Sequence, residues 1–267
     1  MNEPEMGSLL TPEDCALVGM VHLLPLPGSP RWGGDMTAVL DAARRDAEAL
    51  VTGGCDFLLV ENMGDVPYLR GTVAPETVAA MARATAAVVD LGVPTGVQVL
   101  AAANREALGV AVAAGAQFIR AEGFAYAHVA DEGWIDAAAG PLLRARRALG
   151  AEIEVWADIQ KKHSAHAVTA DLSLADWAHG AVFCGAHAVV VTGTATGRPT
   201  ASSDVEAAAT AGCPVVVGSG VDPHNVGAVA HAASAVIVGS WLKVDGDWRN
   251  PVDVDRVRRL RAALDSA

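Results

Sequence analysis

Eight short apolar runs, each followed by a segment of helical spacing, set the rhythm of this chain, and few folds accommodate it. The runs span residues 16–22, 55–61, 94–100, 117–122, 152–158, 187–192, 214–218 and 235–239. The helical segments span 36–52, 75–91, 104–114, 134–149, 172–184, 202–211, 223–232 and 252–264, with apolar residues recurring every three to four positions. Several helices open on Pro or a polar cap and close on glycine, as at Gly53-Gly54, Gly115, Gly150, Gly185 and Gly212, which marks short returns to the next strand. Strict alternation demands a parallel sheet, and eight units close a ring more readily than they extend an open sheet. The expected fold is α/β, a single (β/α)8 TIM barrel. The 267 residues match the length such a barrel needs, about 250. No linker or low-complexity tract interrupts the pattern, so residues 1–267 are read as one domain, with 1–14 a polar lead-in.

Composition narrows the function classes. Hydrophobic residues at 52% and a mean hydropathy of +0.30 supply a large core. A net charge of -12, with no basic run beyond Arg256 to Arg261, opposes nucleic-acid binding. Cys15, Cys55, Cys184 and Cys213 share no C-x-x-C spacing and suit a reducing compartment. The N-terminus lacks a basic n-region, and no apolar stretch reaches the ~18 residues of a membrane span. A cytoplasmic protein without membrane insertion is expected, with helical faces that leave room for a homo-oligomer interface.

In a barrel of this kind ligands bind at the C-terminal ends of the strands. Those ends carry His22, Glu61-Asn62, Gln98, Arg120 with Glu122, Asp158, Thr192-Gly193, Gly218-Ser219-Gly220 and Gly239-Ser240. Alternate strand residues point inward, so Arg120 and Glu122 share one face, as do Glu154 and Asp158. The plainer use of these charges is an internal ion pair, for instance Arg120 with Glu122 or Glu154, and Glu154, lower on its strand, fits that use better than Asp158.

The last two turns, Val217-Gly218-Ser219-Gly220-Val221 and Val238-Gly239-Ser240-Trp241-Leu242-Lys243, read as a phosphate cradle. Glycine lets backbone amides approach an anion, and the following helices add N-terminal donors. Gly193 and Gly197 sit in the neighbouring loop 192–198 as a flap over that cradle, and Lys243 is a candidate phosphate contact. Tight turns alone would also account for these glycines. The loop 158–166 concentrates titratable groups and is the expected catalytic segment. Lys162 near Asp158 would stabilise an enolate or form a Schiff base, with His163 or a carboxylate moving protons. A solvated charged loop is the competing use. No cofactor is required by the sequence. Glu61, Glu122 and Asp158, with His22 or His163, form an oxygen-rich set that could take a divalent metal. Glu61 and Glu122 could instead act as acid and base on a glycosidic bond.

The ordered segments Gly19 to Pro30, Glu61 to Pro67, Lys162-His163, Val191-Thr192-Gly193 with Thr196-Gly197, Gly218 to Val221, and Val238-Gly239-Ser240 with Lys243 resemble the BtpA/SgcQ family over nearly the whole chain. The resemblance implies a barrel of the ribulose-phosphate-binding type. It does not deliver a reaction, since one member is associated with photosystem I accumulation and another lies among genes for phosphosugar metabolism. The chain departs from the family pattern in the segment from Gln98 to Asn104, which is poorer in polar residues, and at Glu122, where the family tends to carry Asn. Both changes imply a retuned pocket.

The expected ligand is a phosphorylated, sugar-like small molecule. Its phosphate would rest on Gly193, Gly197, Gly218, Ser219, Gly220, Gly239, Ser240 and Lys243. His22, Asn62, Gln98, Arg120 and Thr192 would bind the remainder, with Glu61, Glu122, Asp158, Lys162 and His163 as the reacting groups of an isomerase or lyase. Hydrolysis of a ribosyl bond, metal-assisted or not, is one alternative. A non-catalytic assembly factor of the photosystem I kind is the other.

Overall fold

A computed structural model of the chain describes residues 8–11, 14–161, 164–193 and 200–267. Eight parallel strands form a closed barrel in sequence order: β1 (Ala16–His22), β2 (Phe57–Glu61), β3 (Thr95–Gln98), β4 (Phe118–Ala121), β5 (Glu154–Ile159), β6 (Ala188–Val191), β7 (Val215–Val217) and β8 (Ala235–Val238). Ring closure pairs β1 with β8 from Ala16↔Ala235 to Gly19↔Val238. The helices that follow each strand are α1 (Met36–Gly53), α2 (Pro75–Val89), α3 (Asn104–Ala114), α4 (Ala139–Ala148), α5 (Leu174–Phe183), α6 (Ser202–Ala209), α7 (Val226–Ala230) and α8 (Val254–Asp265).

Local chemistry explains where these helices start and stop. Asp35 accepts from the amides of Thr37 and Ala38 at the start of α1, and Ser173 with Asp176 forms a reciprocal capping box on α5. At the other end of α1, Gly54 adopts φ +98°, a conformation that a side chain would oppose. The helices pack their apolar faces around the sheet in one large core, and a second cluster fills the barrel interior. Inside, Phe118 stacks on Trp156 at 3.8 Å between ring centroids. A Cβ on Gly96 would lie 2.2 Å from Phe118, so β3 carries glycine where the neighbouring strand carries its largest ring.

Leu9 and Leu10 of the lead-in lie at the floor of the barrel. Leu10 packs into the interior cluster, while Glu154 accepts from the Leu9 amide at 2.8 Å and from the Trp156 indole at 2.9 Å. Glu154 is therefore a floor group held by neutral donors and not the ion partner of Arg120.

The largest departure from the expected pattern follows β4. Residues 134–149 do not form one helix: His128–Ala130 and Gly133–Ile135 make a hairpin, and Ser164–Ala165 adds a third short strand from the loop after β5. Trp134 and Ile135 alternate between outside and inside as strand residues do, and α4 begins only at Ala139, with Pro141 in its first turn. This small sheet ties the fourth and fifth loops together over one side of the barrel mouth.

Candidate active site

The inward-facing residues change character on ascending the barrel. Above the Phe118–Trp156 layer come His22, Glu61, Gln98, Arg120, Thr192, Gly218 and Gly239, which line a cavity of about 420 Å³ at the C-terminal strand ends. Glu122, Ser219, Gly220 and Ser240 line the same cavity, with apolar walls from Met20, Met63, Leu100, Ile237 and Trp241.

The charged part of the site rises from β2, β4 and β5. Arg120 and Asp158, on adjacent strands, form a buried two-point pair: Nη2 donates to Oδ1 at 2.9 Å and Nε donates to Oδ2 at 3.0 Å. Burial opposes the guanidinium charge, but Asp158 more than restores it and the net shift is upward. Asp158 thus reaches the cavity through Arg120. Glu122 accepts from the Ala102 amide at 2.9 Å and sits 3.3 Å from the Lys161 ammonium. Burial raises the Glu122 carboxyl, with Lys161 and Arg120 pulling the other way. Glu132, from the hairpin turn, approaches Lys161 from the other side at 3.6 Å. Burial alone would lower the Lys161 amine, yet these two carboxylates outweigh it and leave it raised, so it stays an ammonium. His22 Nε2 lies 3.6 Å from Glu61 Oε2. Tyr68 also lines the cavity, donating to the Met63 carbonyl at 3.0 Å, and burial followed by repulsion from Glu61 pushes its phenol up.

The opposite side is built from small residues at the ends of β6, β7 and β8. The hydroxyl oxygens of Thr192 and Ser219 are buried without a hydrogen-bond partner among the described residues. Among the described residues, the loop amides of Ser219, Gly220 and Val221 donate to no backbone carbonyl. Gly220 takes φ +75°. Gly218 and Gly239 have a packing role as well: a Cβ on Gly218 would lie 2.6 Å from Val190 and 3.2 Å from Arg120, and one on Gly239 would lie 2.9 Å from His22.

Two expected ligand contacts serve the scaffold instead. Lys243 is 1% exposed, and its ammonium donates to Asp46 of α1 at 2.5 Å, away from the cavity lining. Burial lowers the Lys243 amine against the pull of Asp46. The pair anchors the turn after β8 to α1 because Asp46 also accepts from the Val252 amide at 3.1 Å. Asn62 is 1% exposed and joins three loops: it accepts from the Leu100 amide at 2.8 Å and donates to Asp65 at 2.9 Å, which in turn accepts from the Leu26 amide at 2.7 Å. Gly193 is buried and does not line the cavity. Lys162, His163 and Gly197 lie outside the described residues.

Lys161, Tyr68, Asp131 and Glu132 line the cavity although sequence reasoning does not single them out. Glu132 was findable: Asp131-Glu132 joins two short alternating runs, His128 to Ala130 and Gly133 to Ile135, the pattern of a hairpin. For the proposed metal set, Asp158 is engaged by Arg120 and Glu122 by Lys161. The described residues include no group of three or more His, Cys, Asp or Glu side chains arranged to hold an ion. None of the described helices is long and apolar enough to cross a membrane, and the four cysteines are free thiols.

The sequence profile of the BtpA family matches residues 13–266. An uncharacterised mitochondrial protein of Caenorhabditis elegans is 44% identical over 263 residues, covering 96% of this chain and 95% of that protein. The photosystem I biogenesis protein BtpA of Synechocystis is 39% identical over 253 residues, covering 93% and 87%. Among solved structures, N-(5'-phosphoribosyl)anthranilate isomerase from Pyrococcus furiosus superposes with a TM-score of 0.57 at 12% identity, covering 95% of this chain and all of the other. At that identity the likeness is one of fold.

Proposed function

The chain belongs to the BtpA family, and we propose that it is an enzyme that isomerises a phosphorylated, sugar-like small molecule by acid–base chemistry. The observation that carries this reading is the pair of buried hydroxyls of Thr192 and Ser219, unpartnered among the described residues, beside the amides of Ser219 to Val221. A buried hydroxyl without a partner costs about 1–3 kcal/mol, and an anion accepting from both hydroxyls and amides would recover it. The phosphoribosyl group in the name of the P. furiosus isomerase is consistent with this use of the fold.

Anchoring the phosphate between β6 and β8 would hold the rest of the substrate over the charged side, where remote binding energy becomes orientation. There Glu61, beside His22, is the base that takes a proton from the carbon next to a substrate carbonyl. The Lys161 ammonium stabilises the oxygen that becomes negative; the carbonyl carbon then takes the proton back while the proton of the hydroxyl on its neighbour passes to the former carbonyl oxygen, which completes an isomerisation. Held as an ammonium between Glu122 and Glu132, Lys161 is ill suited to attack a carbonyl as a neutral amine, which favours proton transfer over a Schiff-base lyase. The test is exchange of carbon-bound protons with deuterated water across a panel of sugar phosphates, followed by NMR, with borohydride added in parallel. Exchange that Lys161→Met abolishes supports the reading; borohydride-dependent covalent trapping on a lysine would replace it with the lyase. Release of a free base from a ribosylated compound would support the hydrolase instead. The name of the Synechocystis relative motivates an assembly role, but a polar, converging cavity is not what such a role requires.

A further inference from the structure

Resting on the phosphate-anchored reading, we propose that the ligand carries one anionic group only, and that its other end is a chain of hydroxyls read by acceptors at the ends of β2, β3 and β4. Gln98 is 2% exposed, lines the cavity, and its side-chain oxygen has no hydrogen-bond partner among the described residues. In register it sits directly opposite Glu61 of β2, with Arg120 on the next strand and Glu122 just past its end. An amide oxygen buried in this position without a donor is explained by a donor that arrives with the ligand.

Charge decides what kind of donor-bearing group fits. Among the described residues, four carboxylates line this end of the cavity, from Glu61, Glu122, Asp131 and Glu132, against the cations of Arg120 and Lys161; Asp222, after the cradle loop, is turned to the amides of His224 and Asn225. Both cations are already in ion pairs, Arg120 with Asp158 and Lys161 with Glu122 and Glu132. A second phosphate or a carboxylate on the ligand would therefore face acceptors of its own sign and displace an existing partner from any cation it reached. A hydroxyl needs neither change: it donates to Gln98 or a carboxylate and leaves both ion pairs in place. The hydroxyls at Thr192 and Ser219 lie on the other side of the mouth, so the two ends of the ligand are read by different chemistry.

The experiment is isothermal titration of the full chain with four probes: inorganic phosphate, ribose 5-phosphate, ribulose 1,5-bisphosphate and 3-phosphoglycerate. Ribose 5-phosphate should bind at least about tenfold tighter than inorganic phosphate, and the two doubly anionic probes no tighter than inorganic phosphate. In Gln98→Leu the advantage of ribose 5-phosphate should shrink to within about threefold while inorganic phosphate is unchanged. Should Gln98→Leu fail to fold, Glu132→Gln provides the second arm, because removing one carboxylate should raise the affinity for 3-phosphoglycerate. Binding of inorganic phosphate with a preference for the bisphosphate or for 3-phosphoglycerate overturns the polyol end and leaves the anchor standing. Absence of binding by inorganic phosphate and ribose 5-phosphate alike overturns the anchor, and this proposal with it.

Discussion

Around the barrel mouth, the ends of β6, β7 and β8 present Thr192, Ser219 and a set of glycines, whereas the ends of β2 to β5 present Glu61, Arg120, Glu122 and Asp158, with Lys161 just beyond. The first side is made largely of backbone and open hydroxyls. On the second side each of these basic groups is matched to a carboxylate from a different strand or loop. A main-chain site can be specified by a short local run, because glycine and serine determine how closely an amide approaches a ligand. A side-chain site of ion pairs depends on which distant residue arrives opposite which, so it is specified only when the whole ring closes.

The ion pair at the base of the charged side offers the sharpest way to break this contrast. Arg120→Leu leaves Asp158 buried with its main partner gone, and unfolding in denaturant should reveal a loss of about 3–5 kcal/mol. Replacing both residues with leucine should recover most of that loss. If Arg120→Leu were as stable as the parent, the charged side would not be organised around this pair. The glycine side should behave in the opposite way. Ser219→Asp sets a carboxylate where the phosphate is proposed to rest, so affinity for inorganic phosphate should fall by about a hundredfold, near 3 kcal/mol, with little change in melting temperature. Unaltered phosphate affinity in that variant would move the anchor elsewhere.

How much of this contrast can be read from residues alone follows from its physical origin. The eight alternations and the turns Gly218-Ser219-Gly220 and Gly239-Ser240 are local, and they stand where the pattern puts them. The partner of Arg120 is not local. Parity places Arg120, Glu122, Glu154 and Asp158 on inward faces, but only the register of β4 against β5, Arg120 opposite Trp156, and the floor contacts of Glu154 to Leu9 and Trp156 decide that Asp158 is the mate. The lysine is harder still. Gln160 takes φ +48° just after β5, which ends the strand parity and brings Lys161 to the cavity. Lys243 misleads for another reason: a basic residue after a glycine turn looks like an anion contact, and its buried partner, Asp46, lies 197 positions away.

Acid offers a way to loosen one side selectively. His128 lies in the hairpin that carries Glu132, 2% exposed, with both ring nitrogens unpartnered among the described residues. Burial first, then the proximity of His166 and Lys161, lower it from 6.5 to about 4, against the pull of Asp158. Between those values the unfolded chain binds this proton and the folded chain does not, so stability is lost as pH falls from 6.5 towards 4. At its steepest the loss from one such group is about 1.4 kcal/mol per pH unit. His187 is depressed to about 4 as well, by burial and Arg146, so the parent curve carries both groups. Comparing denaturant unfolding of the parent and of His128→Leu across this window isolates the hairpin's share, and the variant's slope should be shallower by about one proton. Equal slopes would mean that His128 accepts its proton without disturbing the fold.

The smallest effect is expected where the turn after β8 is tied to α1. Lys243 and Asp46 are linked at 2.5 Å beneath the glycine side, and the carboxylate also accepts from the Val252 amide. Changing both residues, Asp46→Asn with Lys243→Met, removes the two charges together and keeps an acceptor for that amide. Exchanging a buried ion pair for neutral groups of similar size is often close to neutral, so stability should shift by about 1 kcal/mol or less. Phosphate affinity should stay within about twofold, because Lys243 does not line the cavity and the amides and hydroxyls of the cradle are untouched. A tenfold loss of phosphate affinity in a variant that melts like the parent would mean that the Lys243 charge acts on the anion across the turn, and the glycine side would then owe its affinity to a side chain as the charged side does.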